Sequence, residues 1–204
     1  MLASSLAVIG APPAQATDDT PPAPLLVYAL HKRMAEQALE TLARRGALDG
    51  LALRIPGVVA RPGDGAGLKS AFLSRMFHAA RGRQGIVLPV AATGRTWLAS
   101  AGVVAAGMVH AAALPAGLPG ARRSLLLPAL APSFAELAAA LRAAFPGAPE
   151  PGWQPDPAVM AGFGSFGEID ATAARWLGFP ADPDLASLIA TAMAGLPGVS
   201  LRRG

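Results

Sequence analysis

The 204-residue sequence has no cysteine, three histidines, one tyrosine and few charged residues, which make up 15% of it. The lack of cysteine removes disulfide frameworks, thiolate metal sites and cysteine nucleophiles, and leaves the redox compartment open. His31, His78 and His110 are scattered and none sits in an H-x-x-x-H arrangement, so no metal is expected. Aromatics are scarce at 5%, yet apolar residues reach 52%. The core must therefore come mainly from Ala, Leu and Val, and intrinsic disorder is excluded. No run reaches the roughly 18 apolar residues, free of charge and proline, that a spanning helix needs.

Acidic residues are outnumbered 13 to 17, giving a net charge of +4, but only Lys32 and Lys69 are lysines. The arginines are dispersed, with pairs such as Arg44-Arg45 and Arg122-Arg123 the longest runs, and they form no basic stripe interleaved with aromatics. Nucleic-acid binding is not expected. The first sixteen residues imitate a secretion signal, with Ala14-Gln15-Ala16 placed like a cleavage site. No basic residue precedes the apolar stretch, however, and Leu6 to Ile9 is too short for a signal core. The expectation is a soluble, cytoplasmic protein that does not bind membranes.

Leu6 to Gly10 reads as a short buried strand ending at a glycine turn, followed by a proline-rich loop to Pro24. From Leu26 to Arg45 the apolar positions Val27, Leu30, Met34, Ala38 and Leu42 recur at helical steps and predict one buried face, with Gly46 as the stop. Leu51 to Ile55 is a strand closed by Pro56. Strand, helix and strand make a βαβ unit, hence a parallel sheet. Glycine-rich Gly63 to Gly67 falls at the carboxyl end of that second strand, where open α/β sheets place ligands.

Further on, helices are expected at Leu68–Ala80, Ala99–Leu114, Asp170–Leu177 and Asp184–Ala194, and strands at Gly85–Val90 and Arg123–Leu127. Ser133 and Glu136 form a capping box ahead of a helix from Phe134 to Phe145. Pro146 to Pro157 reads as a linker, and no repeat is present.

The constellation richest in chemistry is Tyr28-x-x-x-Lys32 at the start of the first helix. A spacing of four puts both side chains on one face, about 5 to 6 Å apart at Cβ. An ammonium beside a phenol favours the phenolate, the form a general base needs. A surface pair is the bland alternative; Tyr28 being the sole tyrosine, with Ser4-Ser5 upstream, weighs against it.

Together, Ser4-Ser5-Leu6-Ala7-Val8-Ile9-Gly10, Tyr28-x-x-x-Lys32, Leu53-Arg54-Ile55-Pro56 and Val59-Ala60-Arg61-Pro62-Gly63 resemble the extended short-chain dehydrogenase/reductase family, which includes nucleotide-sugar epimerases and dehydratases. The runs SSLAVIG, RRGALDGLALRIPGVVARPG, GRTWLAS, RRSLLLPAL and ARWLGF are similar to its D-erythronate dehydrogenase branch. The resemblance implies an α/β fold, the carboxyl-terminal part of an NAD(P)-binding Rossmann-like doubly wound parallel sheet with a small α+β substrate lobe. It divides the chain into 1–60, the second half of the dinucleotide domain; 61–98, a substrate-lobe segment; 99–145, a return to the dinucleotide domain; and 146–204, a second lobe segment.

The same resemblance gives the residues their roles. Ser5, with Ser4 as the fallback, would hold the substrate hydroxyl. Tyr28 would take its proton, and Lys32 would hold the nicotinamide ribose. Pro56 to Val58 would meet the nicotinamide amide, with Gly57 where a threonine is more usual. Arg95 would grip the anionic part of the substrate, against the alternative of a surface ion pair. Arg61 and Ser70 would line the same region. His31 is expected in solvent, His110 as a packing residue, and Trp97, Trp153 and Trp176 in the core.

Gly162-Phe163-Gly164-Ser165-Phe166-Gly167 fits G-x-G-x-x-G letter for letter, but prolines rather than a strand precede it. It reads as a glycine-rich turn. The family's phosphate loop would lie ahead of Ser5, so the resemblance implies an amino-truncated enzyme with impaired NAD binding. The expected activity is oxidation of a secondary hydroxyl of a sugar acid such as D-erythronate. NAD is the expected cofactor, with NADP open, and a homodimer is an admissible assembly. The competing readings are a nucleotide-sugar epimerase or dehydratase and a catalytically silent fragment.

Overall fold

The computed structural model describes residues 1–61, 70–117 and 122–194. In chain order the elements are β1 (Leu2–Ser5), β2 (Gln15–Ala16), α1 (Val27–Arg44), β3 (Ala52–Ile55), β4 (Gly57–Val58), α2 (Ala71–Gly82), β5 (Val87–Leu88) and β6 (Leu98–Ala99). They continue with α3 (Ala101–Ala113), β7 (Ser124–Leu126), α4 (Phe134–Ala144), β8 (Gly152–Trp153), α5 (Pro157–Val159), β9 (Glu168–Ile169), α6 (Thr172–Trp176) and α7 (Leu185–Ala194). The central sheet has the order β1-β3-β7 and is parallel throughout, with Ser4 opposite Arg54 and Arg54 opposite Leu126. Parallel neighbours need a crossover, and α1 supplies it between β1 and β3. Three short parallel ladders, β2 with β9, β4 with β6 and β5 with β8, join the later segments to the earlier ones.

Among the described residues the apolar side chains gather into two cores. One surrounds the central sheet through Leu53, Leu125, Trp97 and Phe179. The other joins α2, α4 and α7 through Phe72, Phe77, Phe134, Leu137 and Leu188. The capping box on α4 forms as its sequence requires: Ser133 Oγ accepts from the Glu136 N–H, and the Ser133 N–H donates to the Glu136 carboxylate.

Several local expectations are corrected. The strand lies at Leu2–Ser5, and Leu6–Ile9 is a 3-10 turn that Ser5 caps by accepting from the Ala7 N–H. An apolar run of four residues suits either state, and the cap decides for the turn. The expected linker after Pro146 contains β8 and is tied down against β5. Ala99 belongs to β6 rather than to the helix, which Ser100 caps. Gly63 to Gly67 and the start of the helix expected from Leu68 lie outside the described residues.

The largest correction concerns the face of α1. The stripe expected inside is outside, with Val27 71%, Leu30 47% and Met34 57% exposed, while Ala29 and Glu36 are the buried positions. The cause sits on β3. Arg54, 3% exposed, needs a carboxylate and finds Glu36, which is fully buried. An unpaired buried charge costs several kcal/mol, more than the roughly 1.5–3 kcal/mol gained by burying one Leu or Met.

Burial pushes the Glu36 carboxyl up, but hydrogen bonds from Arg54 and Ser4, with Arg33 beside them, outweigh it and hold the group below its ordinary value. A carboxyl depressed by folding stabilises the native state above its unfolded pKa, and that contribution is lost as pH falls through the folded value. Denaturant unfolding followed against pH is therefore expected to show stability falling below the ordinary glutamate range. Glu36→Gln should flatten that part of the curve. An equally steep curve for the variant would show that other groups carry the acid sensitivity.

Candidate active site

A cavity of about 510 Å³ opens at the carboxyl ends of β1 and β3. Three consecutive residues of β1 divide the work there. The Ala3 carbonyl accepts from Lys32 Nζ at 2.7 Å, the Ser4 hydroxyl donates to Glu36 Oε1 at 2.6 Å, and Ser5 lines the cavity. Ser4 also touches the cavity, but its proton is committed to Glu36. Ser5 Oγ accepts from the Ala7 N–H at 3.2 Å, which leaves its own O–H free to donate.

Tyr28 and Lys32 project from the first turns of α1 into the same cavity, with Lys32 Nζ 5.6 Å from the centre of the Tyr28 ring. Pro56 and Val58 line it as well. A Cβ on Gly57 would lie 2.8 Å from the Trp97 carbonyl oxygen, which accepts the Gly57 N–H at 2.9 Å. That close approach suits the glycine found where a threonine is more usual.

Arg95 is not brought to the cavity. Its guanidinium donates to the Ala131 carbonyl and to Glu168 Oε1, both at 2.6 Å, so the surface ion pair weighed against a substrate role is what forms. Arg61 and Ser70 do line the cavity. Arg61 follows Ala60, a non-glycine residue at φ 53°, and its backbone is pinned to α2: its N–H donates to Ser74 Oγ, and its carbonyl lies 2.8 Å from His78 Nε2. Positive φ at an alanine persists only where its surroundings hold it. Among the described residues lining the cavity are the cations Lys32 and Arg61 and no Asp or Glu.

The far wall, which no sequence signal marks, is made by Thr96, Trp97, Gly162, Phe163 and Phe166. Of the glycine-rich run expected as a turn, Gly162 to Gly164 end a π-helical segment, Met160–Gly164, and Ser165 bridges to Arg95. Its aromatics nevertheless close the site: Phe166 stacks on Trp97 with ring centres 4.6 Å apart, and Trp97 Nε1 donates to the Gly167 carbonyl at 2.9 Å. A Cβ on Gly167 would come 2.1 Å from the Ala14 carbonyl oxygen, so glycine serves close approach here and not phosphate binding. A π turn often marks a functional site, but it leaves no trace in the sequence, so nothing there pointed to this wall.

Of the remaining residues, His31 is exposed, and His110 Nε2 lies 2.7 Å from the Leu177 carbonyl with its ring edge-on to Phe179. Trp97 is buried and Trp153 partly so, but Trp176 is 88% exposed, contrary to expectation. It sits on α6, whose buried residue is Ala174. Among the described residues no cluster of three His, Cys, Asp or Glu gathers, and no helix is long and apolar enough to cross a membrane.

The sequence model of the NAD dependent epimerase/dehydratase family matches residues 1–120. The chain belongs to this family. Within it, the D-erythronate dehydrogenases of Haemophilus influenzae and Cupriavidus necator are each 33% identical to it, over 116 and 143 residues. These matches cover 56% and 70% of this chain but 37% and 44% of the relatives, so the chain spans about two fifths of their length. The crystal structure of the nucleoside-diphosphate-sugar epimerase from Agrobacterium tumefaciens superposes with a TM-score of 0.86 and 32% identity, covering 97% of this chain and 59% of that one. The holo GalE-like L-threonine dehydrogenase from Cupriavidus necator, 23% identical, superposes with a TM-score of 0.82 over 94% of this chain and 63% of that one. The α/β architecture with parallel sheets is the Rossmann-type fold of this family.

Proposed function

We propose that the cavity carries out NAD-dependent oxidation of a secondary hydroxyl on a small sugar acid of the D-erythronate type. The observation that carries this reading is the convergence of Ser5, Tyr28 and Lys32 on a cavity whose described lining has two cations and no carboxylate. The D-erythronate dehydrogenases among the relatives support the substrate class.

In this reading Ser5 donates its free proton to the substrate oxygen and orients it. The Tyr28 oxygen takes the hydroxyl proton, with the Lys32 ammonium 5.6 Å from the centre of its ring. Lys32 and Pro56 to Val58 would hold NAD, which would supply the hydride acceptor for the carbon that bears this hydroxyl, leaving that carbon as a carbonyl. The residues suit that cofactor: Pro56, Gly57 and Val58 offer a close-packed, uncharged backbone surface, and Lys32, which spends one N–H on the Ala3 carbonyl, has others to offer a ribose hydroxyl. The choice of NAD over NADP rests on the family description.

Arg61 replaces Arg95 as the residue that holds the substrate carboxylate. Charge-assisted hydrogen bonds contribute about 1.5–3 kcal/mol. Arg61→Met should therefore raise KM for sugar acids by roughly 10- to 100-fold, and Arg95→Met should leave KM near the wild-type value, as steady-state kinetics would show. The reverse order would return the role to Arg95.

The epimerase among the solved structures favours a second reading, in which the substrate is a nucleotide sugar. Incubation with NAD and a panel of four- to six-carbon aldonates and nucleotide sugars separates the two. Net formation of reduced nicotinamide with aldonates supports oxidation. Sugar isomerisation without net reduction supports epimerisation.

For the assembly, the exposed stripe of Val27, Leu30 and Met34 is the best candidate for a homodimer contact, because an uncharged face can meet its own copy across a two-fold axis. Met34→Glu is expected to shift the sedimenting species from dimer to monomer. A wild-type chain that sediments as a monomer would remove this assignment.

A further inference from the structure

Tyr28, Lys32 and Glu36 follow one another at steps of four on α1, so the buried carboxylate lies on the face of the working pair, about 12 Å along the axis from Tyr28. Glu36 gathers three partners. Arg54 grips it with Nε and Nη2, both at 3.0 Å, Ser4 donates at 2.6 Å, and Arg33 at 3.2 Å links it to Glu40. None of this takes part in the proposed chemistry.

Elsewhere a helix is seated on a sheet by an apolar stripe, but on α1 that stripe points outward. Ala29 and Glu36 are its fully buried residues, so dispersion contacts give the inner face little directional grip. Two of its side-chain contacts with β1 are polar and directional: Lys32 on the Ala3 carbonyl and Glu36 on the Ser4 hydroxyl. Because strand residues alternate faces, a one-residue slip on β1 would exchange the positions of Ser4 and Ser5. A rotation of α1 by one residue would turn Tyr28 by about 100°. Arg54 sits opposite Ser4 in the ladder and fixes Glu36 from the neighbouring strand, which joins α1, β1 and β3 at one point.

We infer that Glu36 and Arg54 are a positioning pair, which sets the rotation and axial place of α1 and thereby holds Tyr28 and Lys32 in register with Ser5. The inference rests on the reading of Tyr28 and Lys32 as the working pair. A buried ion pair can often be exchanged for apolar residues of similar volume without loss of stability. Such an exchange would remove direction while keeping the packing.

Tyr28 is the sole tyrosine, so carbon-13-labelled tyrosine gives one ring environment to follow by NMR without substrate or cofactor. Two variants are compared with wild type: Glu36→Gln, and the apolar triple Ser4→Ala, Glu36→Leu, Arg54→Met. The triple variant is expected to keep its far-ultraviolet circular dichroism and to show the Tyr28 ring signal split or broadened. Glu36→Gln should shift the same signal by less. With NAD and sugar acid supplied, the triple variant should lose activity on the order of 100-fold, the usual consequence of a misplacement near 1 Å.

A folded triple variant with the wild-type ring signal would overturn the inference. If only Glu36→Gln folds, an unmoved signal in it does the same. If neither folds, the pair determines the fold and not the register, which also overturns it. Because the ring signal is read without turnover, its outcome is independent of whether Tyr28→Phe shows Tyr28 to be the base.

Discussion

Replacing Tyr28 with Phe is expected to lower the rate of hydride transfer by roughly 100- to 10,000-fold, the range over which a positioned general acid or base acts. The fold should be untouched. Tyr28 is 55% exposed, and α1 is held by Ala29 and by the Glu36 network, neither of which needs the phenol oxygen. The variant keeps the ring and its contact with Lys32, so only the proton acceptor is removed. Lys32→Met should cost activity too, but it also releases the Ala3 carbonyl and disturbs β1, so Tyr28→Phe is the cleaner substitution. Steady-state turnover compared at matched circular dichroism is the measurement. Wild-type turnover in the Phe variant would assign the proton to another group.

The second large effect is on stability. Trp97→Ala is expected to cost about 3–5 kcal/mol in denaturant unfolding, the usual range for removing a buried tryptophan. Trp97 is 2% exposed, stacks on Phe166 and satisfies the Gly167 carbonyl. It belongs to the core around the central sheet and also forms one wall of the cavity, so its loss opens the site as well as the core. For a domain whose net stability is about 5–15 kcal/mol, that is a large share. Trp97→Phe keeps the stacking and forfeits the hydrogen bond, and should cost about 1 kcal/mol plus the mismatch in volume. A loss below about 1 kcal/mol for the alanine variant would mean that Phe166 and its turn are not anchored through Trp97.

Side-chain pairs were legible wherever the signal is local. Tyr28 and Lys32 are four apart on one helix, and Ser133 and Glu136 are three apart at a cap, so spacing alone brings each pair together. What the sequence hid is long-range. The inward face of α1 is chosen by Arg54, eighteen residues beyond Glu36 on another strand, and apolar periodicity points the wrong way when a buried charge dictates the helix's rotation. Arg95 and Arg61 look alike in sequence. Glu168 and the Ala131 carbonyl draw one to the surface, while Ser74 and His78 hold the backbone of the other at the cavity. Gly162 to Gly167 carries the letters of a phosphate loop and the physics of a close-packed turn, and a carbonyl two angstroms from a missing Cβ cannot be read from one strand of text.

The most direct test of Ser5, Tyr28, Lys32 and Arg61 as one oxidising site is the fate of a single atom. D-erythronate deuterated at the carbon bearing the C2 hydroxyl is incubated with the protein and either NAD or nicotinamide mononucleotide. The second carrier asks only for the nicotinamide half of a site, the half these residues suit. Mass spectrometry of the nicotinamide then gives the answer. Deuterium on the reduced ring, lost in Tyr28→Phe and weakened in Arg61→Met, is the expected result. Both carriers at saturating concentration with the carbon–deuterium bond intact would contradict it.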